Sequence, residues 1–100
     1  MAIMAIYRSD KVAPTDYAPY ETELAHQPLP EGALLHLVGY DGREMTIVDV
    51  WESREALAAY RPQIEERANR LGVPAAEPQI FEVRNGLGAL DLTDARLQPA

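Results

Sequence analysis

The stretch from Gly32 to Tyr60 constrains the fold more than any other part of the chain. It reads GALLHLVGY, DG, REMTIVDVW and ESREALAAY, two apolar-rich runs around Asp41-Gly42 followed directly by a helical pattern. Asp-Gly between two such runs is a strong short-range hairpin signal and predicts a two-residue type I′ turn. That turn would pair Tyr40 with Arg43, Val38 with Met45, His36 with Ile47 and Leu34 with Asp49. Those residues share one face, which Trp51 continues. Leu35, Leu37, Thr46, Val48 and Val50 take the other. Because side chains alternate along a strand, a slip of one residue would exchange the two sets.

The two faces differ in kind. The Leu/Val face reads as plain core and is expected to pack on the helices. The other mixes His36, Tyr40, Met45, Asp49 and Trp51 with Leu34, Val38 and Ile47. It is too apolar for open water and too polar for a dry core, which is the character of a lined cavity.

The rest of the chain supplies further elements around this hairpin. Ala2 to Arg8 is almost continuously apolar, as a central strand buried on both faces would be. A helix is predicted from Thr15 or Asp16 as N-cap, with Pro19 in its first turn, to near His26, where Pro28 and Pro30 stop it. Ser53 caps a second helix whose apolar stripe is Leu57, Tyr60, Ile64, Ala68 and Leu71. Pro62 is expected to kink or divide it, and Gly72-Val73-Pro74 to end it. Gln79 to Asn85 reads as a last strand. The domain is thus residues 1–86, followed by a tail, 87–100, whose Leu87, Leu90, Leu92 and Leu97 suit docking on a neighbouring subunit or a frayed end.

The order strand, helix, strand, strand, helix, strand matches the α+β ferredoxin-like motif, a four-stranded antiparallel sheet with two helices on one face. Within it, Asp49-Val50-Trp51-Glu52-Ser53-Arg54-Glu55-Ala56-Leu57 resembles the D-x-W-x-S-x-E-A-hydrophobic junction of the dimeric α+β barrel superfamily, which includes the antibiotic-biosynthesis monooxygenase-like proteins. The resemblance implies a homodimer joined through its sheets into an α+β barrel, with a cavity in each subunit. Members include cofactor-independent monooxygenases, haem-degrading enzymes, polyketide cyclases and muconolactone isomerases, so fold carries little information on chemistry. The haem-degrading members use an Asn–Trp–His set. This chain has Trp51 and His36, but Tyr7 and Arg8 stand where the Asn is sought. No cofactor is expected.

Composition removes several classes of function. Nine basic against sixteen acidic residues give a net charge of −7, which argues against nucleic acid and anionic membrane surfaces as partners. No cysteine is present, so disulfides, thiol nucleophiles and cysteine metal sites are excluded. MAIMAIYR lacks a basic n-region, and no run approaches the ~18 apolar residues of a membrane span, so a cytoplasmic protein is expected. Two histidines ten residues apart, without an H-x-x-H spacing, predict no metal site.

The remaining candidates lie on the mixed face. In the expected register His36 and Asp49 are diagonal neighbours, about 7–8 Å apart at Cα. A histidine oriented by a carboxylate is a usual general base, able to take a proton from a phenol or from carbon next to a carbonyl. The alternative is a half-buried pair that only satisfies itself. Tyr7, Tyr40, Met45 and Trp51 are candidate substrate-binding residues, or else packing residues. Arg8 or Arg84 suits an anionic substituent, and Tyr17 and Tyr20 are placed to reach the same space. Two functions follow: an enzyme on a hydrophobic aromatic or polyketide-like molecule, or a non-catalytic ligand-binding or accessory dimer.

Overall fold

The computed structural model describes residues 1–74 and 76–86. Its elements are β1 (Ile3–Ser9), α1 (Pro14–Ala25), β2 (Ala33–Tyr40), β3 (Met45–Trp51), α2 (Arg54–Leu71) and β4 (Gln79–Glu82). The strands form one antiparallel sheet in the order β2-β3-β1-β4, so the fold is α+β and ferredoxin-like. β1 is central, as its unbroken apolar run requires. β4 is shorter than expected, although Val83 N–H still donates to Ala2 O at 2.9 Å. The tail, 87–100, lies outside the described residues.

Local chemistry sets the helix ends. The N-cap of α1 lies two or three residues before the expected Thr15 or Asp16. Ala13 is the N-cap, Pro14 is the first helical residue, and the Asp16 carboxylate reaches back to accept from Ala13 N–H at 3.2 Å. Proline is favoured in that first position because its missing N–H has no partner to lose. Pro19 therefore falls beyond the first turn, yet the helix continues to Ala25. α2 follows its sequence signals more closely. Ser53 Oγ accepts from Ala56 N–H at 3.1 Å, and Gly72 is in the left-handed cap conformation. Pro62 does not divide α2, which runs as one element of 18 residues.

The hairpin differs from the two-residue turn. Asp41 Oδ1 accepts from the backbone N–H of Arg43 and Glu44 at 2.9 and 2.7 Å, and Asp41 N–H donates to Glu44 O. The carboxylate thus stabilises a four-residue connection, 41–44. Tyr40 pairs with Met45, Val38 with Ile47 and His36 with Asp49. A shift by two keeps the parity, so His36, Val38 and Tyr40 still share a face with Met45, Ile47, Asp49 and Trp51. Leu34 is displaced by an irregularity between Ala33 and Leu35, and Ala33 pairs with Trp51 instead.

The helices cover the opposite face from the one expected. Ile3, Ala5 and Trp51 pack with Leu57 of α2, while Met45 packs with Val12, Tyr17, Tyr20 and Ala68. All the sheet residues in these clusters belong to the mixed face. The Leu/Val face lies open. Its cross-strand rows run Leu35, Val50, Met4, Phe81 and Leu37, Val48, Ile6, Gln79. Leu37 and Phe81 there are 39% and 38% exposed. Hydrophobicity marks a face that avoids water, but it does not say whether the chain's own helices provide the cover.

Candidate functional site

The mixed face is the floor of a cleft of about 990 Å³ whose roof is formed by α1 and α2. Tyr7, His36, Val38, Ile47, Asp49 and Trp51 line it from the sheet. Tyr17, Tyr20, Tyr60, Ile64 and Arg67 line it from the helices.

His36 and Asp49 are directly opposed across β2 and β3, rather than diagonal as the two-residue turn would have placed them. Directly opposed side chains stand roughly 4.5–5.5 Å apart at Cβ, so a His and an Asp can meet without strain. Nδ1 of His36 lies 2.5 Å from Oδ1 of Asp49, and the side chains are 31% and 13% exposed. With Nδ1–H donating to the carboxylate, the lone pair is on Nε2, which has no hydrogen-bond partner among the described residues. Beyond Asp49 in the same row is Ala5, whose small side chain leaves the carboxylate uncrowded.

The other expected site residues divide. Tyr7 pairs with Ile47 and so is diagonal to Asp49 on the floor. Burial, helped by the Asp49 carboxylate, pushes its phenol up to about 12, so it is a hydrogen-bond donor at neutral pH. Trp51 is buried against Tyr60, with ring centroids 5.7 Å apart, and its Nε1 has no partner among the described residues. Met45 is packed among Val12, Tyr17, Tyr20 and Ala68 and forms the wall of the cleft. Tyr40 is at the rim, 47% exposed. Arg8 is exposed at the end of β1 and reaches the cleft edge, whereas Arg84 is exposed beyond β4 and does not line it. Tyr17 and Tyr20 do reach the cleft, as a stacked pair with centroids 4.9 Å apart.

One residue of the site was missed by reading the sequence. Arg67 is the buried charged side chain of the described residues, 5% exposed. Its guanidinium lies over the Tyr20 and Tyr60 rings, at 5.5 and 5.9 Å from their centroids. Nη2 donates to Gln27 Oε1 at 2.8 Å and to Tyr60 OH at 3.0 Å. The signal was present: Tyr60, Ile64, Arg67 and Leu71 are spaced by four, three and four, which puts Arg67 on the apolar stripe of α2. Among the described residues, no group of three or more His, Asp or Glu comes together as metal ligands would. No helix among them is long and apolar enough to cross a membrane.

Solved structures with a similar fold include two. One, from Deinococcus radiodurans, is provisionally assigned as an antibiotic biosynthesis monooxygenase. It shares 18% identity, with a TM-score of 0.57, over 91% of this chain and 100% of that one. The other is SnoaB, a cofactor-independent oxygenase from Streptomyces nogalater, also 18% identical, with a TM-score of 0.59 over 88% of this chain and 97% of that one. The chain has the fold of both. It is the ferredoxin-like fold that the order of strands and helices predicts. No protein-family model matches the sequence, and neither does any curated protein.

Proposed function

We propose that the cleft binds a hydrophobic aromatic or polyketide-like molecule and that His36 acts on it as a general base. The reaction is cofactor-independent oxygenation, or cyclisation or isomerisation through the same proton transfer. One observation carries this reading: a His–Asp pair, hydrogen-bonded at 2.5 Å, opens onto a cleft of about 990 Å³ with largely apolar and aromatic walls. Nε2 of His36 takes a proton from carbon next to a carbonyl, and Asp49 stabilises the imidazolium that forms. The protonated Tyr7 is a donor for the oxygen on which charge develops, and Trp51 and Tyr40 contact the ring system. Without a cofactor, the electrons for dioxygen come from the substrate carbanion. For an anthrone, the ring CH₂ and O₂ become a ring C=O and water, one oxygen atom going to each. In an isomerase the proton returns to another carbon and no oxygen is consumed.

The open face supports a second part of the reading. A second copy of the chain covers the rows through Leu35, Leu37, Val48, Val50, Met4, Ile6 and Phe81, giving a homodimer whose sheets face each other.

Anthrone under air is a direct test, followed by oxygen uptake and anthraquinone formation. The wild-type chain is expected to turn it over above the buffer rate, and His36→Ala to lose about 10²-fold or more. Equal rates for the two proteins would overturn the role of His36. The sparse reactive set, with two His, one Lys and no Cys, favours one alternative: a dimer that binds such a molecule without converting it. Saturable binding with no product would select it.

A further inference from the structure

Arg67 carries a buried charge whose ion pair is long. Its Nε is 3.6 Å from Glu23 Oε2, too far for a hydrogen bond, and both atoms are buried without a hydrogen-bond partner among the described residues. The other Glu23 oxygen is held by Arg70 Nη2 at 2.6 Å, and Arg70 Nε also donates to Glu66 at 2.9 Å, so Arg70 takes the close carboxylate contacts and Arg67 keeps only the long one. The partners that Arg67 does hydrogen-bond, Gln27 and Tyr60, are neutral. They and the Tyr20 and Tyr60 rings fix its orientation without cancelling its charge. A buried charge is costly unless it is paired.

A second unmet group lies in the same roof. The Tyr17 hydroxyl is buried without a partner among the described residues, and its ring stacks on Tyr20, the ring under the Arg67 guanidinium. Burial raises its pKa, and so do the neighbouring Tyr20 and Asp49, so the phenol keeps its proton and has nothing to donate it to. The roof therefore holds a loosely paired cation and a buried, unused donor above a floor bearing His36 and Asp49.

We infer that Arg67, assisted by the Tyr17 hydroxyl, is the specificity-determining anchor for a carboxylate on the ligand, so that the cleft selects acidic aromatics over their neutral analogues. This rests on the ligand-binding reading above and adds the substrate class to it. A carboxylate fits because it is ionised at neutral pH, whereas a simple phenol, with a pKa of about 10, is not. It also accepts a charge-assisted hydrogen bond from a single guanidinium N–H. Holding the acid group at the roof leaves the rest of the ring system to face His36 on the floor.

Calorimetric titration of the full chain with 9-anthracenecarboxylate and with 9-anthracenecarboxamide tests this. The acid is expected to bind the wild-type protein at least about tenfold more tightly than the amide. Arg67→Met should abolish that preference, Arg67→Lys should reduce it severalfold, and Arg61→Gln, at the cleft edge, should keep it. A residue that only ties the helices together would change the melting temperature and leave the acid-to-amide ratio alone. Equal binding of the two probes by the wild type, or an unchanged ratio in Arg67→Met, would overturn the anchor while leaving the ligand-binding reading in place. Binding of neither probe would overturn both. Should Arg67→Met fail to fold, the wild-type ratio and its fall in Arg67→Lys decide.

Discussion

Asp49 holds His36 from the directly opposite position on the neighbouring strand, Oδ1 to Nδ1 at 2.5 Å. Both groups sit on backbone fixed by the sheet ladder, so the imidazole orientation depends on the chemistry of the carboxylate. Asp49→Asn tests that dependence. The amide keeps the shape but can offer N–H to Nδ1, which would move the imidazole proton to Nε2 and remove the base. A fall in kcat of about 10²-fold or more is expected, with little change in KM, because Asp49 acts through His36. Steady-state kinetics on anthrone reads both constants. A change confined to KM would mean that the pair only shapes the cleft.

The unpartnered Tyr17 hydroxyl has an energetic consequence of its own. A buried donor without an acceptor costs about 1–3 kcal/mol, and removing it with its shape preserved recovers part of that. Tyr17→Phe is therefore expected to stabilise the empty protein by about 1 kcal/mol in urea unfolding. It should also weaken binding of 9-anthracenecarboxylate. Gain in stability with loss in binding is the pattern of a group held unsatisfied for a ligand.

How far the sequence could be read depended on what each signal measures. Asp41-Gly42 marks a hairpin but not the length of its connection, which the Asp41 carboxylate sets by capping Arg43 and Glu44. Loops of two and four residues have the same parity. Hence the face shared by His36, Asp49 and Trp51 was legible, while the contact of His36 with Asp49 was not. Hydrophobicity was a poor guide to which face α1 and α2 cover, because Tyr17, Tyr20 and Tyr60 accept a half-polar floor as readily as a Leu/Val one. Arg67 is not legible as a site residue because arginine on a helix is ordinarily solvated. Tyr60 shares its helix face, but only the tertiary arrangement brings Tyr20 and Gln27 to it.

Tyr7 predicts a feature of the alkaline unfolding curve. Its phenol is raised to about 12 in the folded protein, from an ordinary value of 10.0, by burial first and by Asp49 second. The folded state holds that proton more tightly. The contribution is complete below pH 10 and is lost as the pH rises toward about 12, where the unfolded chain ionises first. Urea midpoints measured across that range should fall less steeply in Tyr7→Phe than in the wild type. A residual slope is expected from Tyr17 and Tyr20, whose phenols burial also raises.

Gly32 joins the sheet to the second helix, and there the backbone leaves no room for a side chain. Its φ is +84°, and a Cβ would fall 2.6 Å from the Ala56 Cβ on α2. Its carbonyl accepts from Glu52 N–H at 2.8 Å, which ties the start of β2 to the β3–α2 junction. Gly32→Ala combines left-handed strain with overpacking and should cost about 2–4 kcal/mol. Gly42 also has positive φ, but a Cβ there would meet nothing within 4 Å, so Gly42→Ala should cost only about 1 kcal/mol. Chemical denaturation of the two variants side by side checks the difference; similar losses would mean that the Ala56 contact relaxes freely.

The open sheet face sets the last expectation. Leu37 and Val48 are paired across β2 and β3 at its centre, with Ile6 next in the row. Apolar rows of this length are unfavourable in water, and the chain's own helices lie on the other side. Light scattering should give about twice the 11.1 kDa chain mass. Val48→Glu puts a carboxylate on the row facing the second copy. Buried without a partner it would cost several kcal/mol, enough to yield monomer. The substitution leaves the cleft untouched, because Val48 points away from His36 and Asp49. A monomeric wild-type chain would remove the dimer from the proposed function while leaving the His36–Asp49 site to be tested separately.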